Sequence, residues 1–127
     1  MSPLVVVAVI VAGGLGSALR YGVGLAFAAR SREPPLDRFP WAVLTVNSAG
    51  SLIAGIAAGL AAANVVSADA RLVIISGLAG GLTTFSTFTV ETMDLFLRAR
   101  FARALSSCGL NLALGLALAT GGFLLFR

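Results

Sequence analysis

The chain contains no lysine, no histidine and a single cysteine, Cys108, and only 11% of its 127 residues are charged. Soluble domains carry about twice that fraction, because their surfaces must be wetted. Without histidine, paired cysteines or paired carboxylates at depth, acid–base and metal-hydrolysis chemistry lack their parts. The chain therefore does not read as an enzyme. Cys108 cannot form an intrachain disulfide and, inside an apolar run, reads as a small buried residue. The net charge of +4 comes from arginine alone. These arginines form no basic stripe with interleaved aromatics, which argues against a nucleic-acid partner. The N-terminus has no basic region, and its apolar stretch runs past leader length, so it reads as a span.

What the chain has is apolar length. Hydrophobic residues make up 58% of it, and its mean hydropathy is +1.00. A chain this short cannot hide so much apolar surface in one core, whereas a lipid solvent removes the need. Four segments approach the roughly 20 residues that cross a bilayer. The pattern predicts an all-α integral membrane protein, one domain over residues 1–127. Its helices fall at about Leu4–Ala29, Pro40–Ala63, Leu72–Leu97 and Ala104–Phe126. The links are short, so neighbouring spans alternate in direction; the first carries Pro34-Pro35. Arg30, Arg32, Arg38, Arg98, Arg100 and Arg103 sit in the first and third links, against Arg71 and Arg127 on the other side. That bias places the termini outside and the first link in the cytoplasm.

Small residues mark helix contacts. Asn47, Ser51, Gly55 and Gly59 recur every fourth position and share one face, where close backbone packing is the simplest reading. Polar groups at membrane depth are expensive and face a protein or watery interior. Arg20 either attracts anions or anchors a helix, or else snorkels along its stem to the interface. Asn47 either faces a pore or makes an interhelical hydrogen bond. Ser107 and Asn111, one turn apart, either extend a polar path or bond a neighbouring helix. Glu91 and Asp94 are read as partners for Arg98.

The most specific feature is the run from Gly80 to Thr89. Its glycines and β-branched threonines weaken the third helix near mid-span. A break there frees carbonyls that suit a cation and creates a helix N-terminus that favours an anion. Phe85 and Phe88, three apart, share a face and offer ring edges, which are positively polarised. Ser86 and Thr87 add hydroxyl donors. Donors greatly outnumber carboxylates at depth, which suits a small, strongly hydrated anion.

These residues resemble the Fluc (CrcB) family of bacterial fluoride channels over essentially the whole chain. The resemblance rests on Gly13 to Tyr21, on Thr45-Val46-Asn47 with Gly50 and Gly55, and on Gly77 to Phe88. It implies an antiparallel, dual-topology dimer of four-helix subunits in the bacterial inner membrane. Two pores would let fluoride leave the cytoplasm passively, reducing its toxicity. Asn47, Phe85, Phe88, Ser86, Thr87 and Asn111 would line the pore. Arg20 would be a structural anchor. Backbone carbonyls of Gly80 and Thr83 would hold one structural sodium ion that is not transported. The partner would be a second copy or, given the arginine bias, an oppositely oriented paralogue. One departure is that Gly115 and Ala119 stand where the family often continues a hydroxyl track below Asn111. The best rival is a small multidrug transporter, which needs a carboxylate in the first helix; this chain has Arg20 there instead.

Overall fold

The computed structural model describes residues 1–34 and 38–127, and every regular element among them is helical. Pro35 of the proline pair lies outside the described residues. Helix α1 spans Pro3–Arg30 and starts where Ser2 accepts from the Val5 amide, with proline in the first turn; proline tolerates that position because the amide there has no helical partner. Helix α2 spans Trp41–Ala62. The third span opens with α3, Ala68–Leu72, capped by Ser67. It continues through a π-helical stretch, Val73–Ala79, and a last turn, α4, Gly80–Leu82. Thr83 and Thr84 are extended, with ψ of 158° and 124°, and α5 then runs Phe85–Leu97. Helix α6 spans Phe101–Phe126.

Four helices are long and apolar enough to cross a membrane: Pro3–Arg30, Trp41–Ala62, Ala68–Leu97 and Phe101–Phe126. The third begins four residues before the expected Leu72, because the Ser67 cap satisfies an early amide. The fourth begins three residues before Ala104. The turn ahead of it is tighter than the sequence suggests: Ala99 adopts a left-handed φ of 58°, and the Arg100 amide donates back to the Leu95 carbonyl at 2.8 Å. Asn64 closes α2 in the same way at φ 59°, a conformation that asparagine tolerates better than alanine.

Two backbone seams hold the helices together. Along the first, α1 lies against the π-helical stretch and α4. A Cβ on Gly16 would lie 2.8 Å from the Leu82 nitrogen, and one on Gly81 would strike the Gly13 carbonyl. Along the second, α2 lies against α6. There Gly55 meets the Ala119 carbonyl and Gly59 faces that of Phe123. In lipid, where hydrophobicity gives helices no mutual attraction, such close approach supplies the packing energy. The second seam also explains the missing hydroxyl track: Gly115 sits beside Ser51, and Ala119 beside Gly55, so both belong to the contact. The exterior carries leucines such as Leu4 at 77% and Leu125 at 80% exposure, as expected where the solvent is apolar.

Candidate functional site

The chain at 81–84 is gripped from two helices. From α1, Ser17 donates to the Gly81 carbonyl at 3.3 Å, and Arg20 donates to the Thr83 carbonyl at 3.2 Å. From α2, the Asn47 amide clamps Thr84 on both sides. Its Oδ1 accepts from the Thr84 amide at 2.8 Å, and its Nδ2 donates to the Thr84 carbonyl at 3.2 Å. These bonds occupy polar groups that helix geometry would otherwise pair, so extended backbone is tolerated in an apolar setting. Gly50 makes the room: a Cβ there would collide with the Thr83 methyl.

Thr84 then starts α5. Its hydroxyl accepts from the Thr87 amide at 3.2 Å, donates to the Thr87 hydroxyl at 3.1 Å, and lies 3.3 Å from the Ser86 hydroxyl. The Asn47 Nδ2 also donates to Asn111 Oδ1 at 3.0 Å, and the Asn111 Nδ2 donates to the Ser107 carbonyl at 2.9 Å. Ser107 is fully buried against the Thr92 hydroxyl at 3.2 Å.

Two spaces flank this knot. A groove of about 430 Å³ is lined by Asn47, Ser51, Thr83, Thr84, Phe85, Phe88, Cys108, Asn111 and Leu112. The two rings lie 5.9 Å apart between centroids, tilted by 43°, and no carboxylate is among the described residues that line the groove. A second cavity of about 440 Å³ holds Arg20, Tyr21, Ser86, Thr87 and Glu91, and meets the groove at Thr84. It shares Gly24, Ala42 and Glu91 with a third, of about 810 Å³, where Arg38, Asp94 and Arg103 appear.

The expected pore residues thus divide between the two sides of Thr84. Asn47, Phe85, Phe88 and Asn111 face the groove, and Ser86 and Thr87 the second cavity. Arg20 reaches across to Thr83, and Gly80 is exposed beside the interruption. Two readings change. Glu91 and Asp94 line the large cavity with Arg38 and Arg103, and neither pairs with Arg98 among the described residues; an ion pair at that end joins Arg103 to Glu33 at 2.7 Å. Cys108 is exposed and lines the groove rather than being buried. Thr84 and Ser17 lie in runs the sequence marks, but it gives neither a role of its own. A threonine ahead of a helical run is a cap signal that could have marked the first; nothing local marks the second.

Known proteins with similar sequences cover nearly the whole chain. The family described as CrcB-like protein, Camphor Resistance (CrcB), matches residues 7–123. The fluoride-specific ion channel FluC of Renibacterium salmoninarum is 43% identical over 115 residues, 89% of this chain and 91% of that one. FluC of Thermus thermophilus is 39% identical over 111 residues, covering 87% and 86%. FluC 1 of Thermobifida fusca is 40% identical over 112 residues, covering 88% and 87%. With its four apolar spans, this chain is a multi-pass membrane protein that belongs to the CrcB family.

Proposed function

We propose that the chain is a fluoride-selective ion channel, not an enzyme, which lets fluoride leave the cytoplasm passively. The observation that carries this is the groove: Phe85 and Phe88 line it together with the Asn47 and Asn111 amides, and no carboxylate is among the described residues there. An anion entering it exchanges water for N–H and C–H donors in a dry setting, where each donor counts for more than in water. The relatives' names, fluoride-specific ion channels, support the same ion. The rival transporter reading is disfavoured, since α1 has Arg20 and no carboxylate.

The working unit is an antiparallel dimer with two pores, in the inner membrane. Phe85 is 79% exposed on one subunit and Gly80 is exposed as well, so a second subunit would complete the surface they present. A sodium ion fits the backbone there. The Thr84 amide, which would bond the Gly80 carbonyl in an unbroken helix, is taken by Asn47. The Thr83 carbonyl keeps a second lone pair beyond its bond from Arg20. The Gly80 and Thr83 carbonyls would hold the ion, and its charge would stabilise carbonyls gathered at a subunit contact.

Purified protein in liposomes should release fluoride and retain chloride. Equal release of both anions removes the selectivity claim.

A further inference from the structure

We infer that Asn111, and not Asn47, is the side-chain amide that hydrogen-bonds fluoride in the groove, with Asn47 acting as its positioning residue. This rests on the channel reading and assigns roles within it.

The argument is one of donor accounting. An asparagine amide has two N–H donors and one carbonyl acceptor. Backbone groups have no ambiguity of orientation, so Thr84 fixes that of Asn47: its amide must meet Oδ1, and its carbonyl must meet Nδ2. One Nδ2 proton is thereby used. The other goes to Asn111 at 3.0 Å, which must present Oδ1 in return. Asn47 has nothing left to give. Asn111 is then also fixed, with Nδ2 turned away from Asn47, and it spends one proton on the Ser107 carbonyl at 2.9 Å. Its second proton has no partner among the described residues. Asn111 is half-buried and lines the groove with Phe85 and Phe88.

The direction of the chain helps. Ser107 pulls on Asn111, Asn111 on Asn47, and Asn47 on Thr84, so each accepting carbonyl polarises the next amide. For Asn47 to bind an anion itself, it must abandon Thr84 or Asn111, leaving a buried acceptor unpaired, which is costly. Asn111 needs to abandon nothing.

The chain contains three asparagines, at 47, 64 and 111, and no glutamine, so its side-chain amide spectrum holds three NH2 pairs. In 15N-labelled protein in detergent micelles, fluoride should move one Asn111 proton downfield and saturate. Asn47 and the turn residue Asn64 should stay put, and equal chloride should move none of them. A shift at Asn47 without one at Asn111, or no shift at either, overturns the assignment.

A flux arm separates donor from scaffold. Asn111→Asp keeps an acceptor for Asn47 but removes both donors, sets a carboxylate against the Ser107 carbonyl and charges the groove. Fluoride release should fall about tenfold or more, with some loss of stability. Asn111→Ser, whose hydroxyl can accept from Asn47 and give its one proton to fluoride, should keep release well above that of Asn111→Asp. Asn47→Asp sets a carboxylate against the Thr84 carbonyl and should lower stability first. Release by Asn111→Asp at the unsubstituted rate overturns the inference. Should the unsubstituted protein release no fluoride, the channel reading falls, yet the amide shifts still decide which asparagine takes the anion.

Discussion

Replacing Gly16 with alanine tests whether the α1 seam is as tight as the geometry implies. The added Cβ would lie 2.8 Å from the Leu82 nitrogen and 3.0 Å from the Gly81 carbonyl carbon, and nearer still to the Leu78 carbonyl oxygen. All three are backbone atoms, so no side chain can swing aside. To restore ordinary contact the helices must part by roughly 0.6 Å or more, thinning dispersion contacts along the seam. Overpacking of this kind costs about 1–3 kcal/mol, against which alanine's helix propensity returns up to about 1 kcal/mol. The same movement stretches the Ser17 and Arg20 bonds to Gly81 and Thr83, already 3.3 and 3.2 Å long. A net loss of about 1–3 kcal/mol follows, read as a lower thermal midpoint in detergent. Gly14, two residues earlier, has nothing within 4 Å of its would-be Cβ, so Gly14→Ala should be neutral or slightly stabilising. If the two variants unfold together, the seam is looser than described and the reasoning fails.

Other substitutions address other parts of the molecule. Phe85→Ile and Phe88→Ile keep apolar volume but remove the ring edge; both should fold and lose most fluoride release, and unchanged release in both would discard the ring-edge mechanism. Ala99→Gly should raise the thermal midpoint, because alanine at φ 58° carries about 1 kcal/mol of left-handed strain that glycine lacks; a lower midpoint would refute that. Glu33→Gln breaks the Arg103 pair, but both side chains are well exposed, at 50% and 39%. Screening limits such a pair to about 0–1 kcal/mol, so stability should barely move, and a large loss would show the pair matters more than its exposure implies.

The four spans were legible because hydropathy alone reports them, and helix ends shifted by more than one residue only where a cap or a left-handed turn intervened, at Ser67 and Ala99. The Gly80 to Thr89 run was legible as a weak helix, since glycine and β-branched residues disfavour one locally. What grips that run was not. Ser17 is 64 residues from Gly81 in sequence and Asn47 is 37 from Thr84, and hydropathy carries no record of such pairings. The Asn47 and Ser107 alternatives stayed open for the same reason: whether an amide faces a pore or a neighbour depends on which helix stands beside it. Here Asn47 lines the groove while its hydrogen bonds are all spent on protein. Proximity along the chain suggests Arg98 for Glu91, whereas the fold brings Arg38 and Arg103 from other elements into the cavity that Glu91 lines.

Four polar grips from α1 and α2 converge on residues 81–84 of a single subunit, and all of them are internal to that subunit. Straightening this stretch into continuous helix would strip those bonds within an apolar environment. The bent shape is accordingly held by hydrogen bonds within one chain. Whatever packs against residues 81–84 therefore meets a backbone whose course this chain's own side chains already impose.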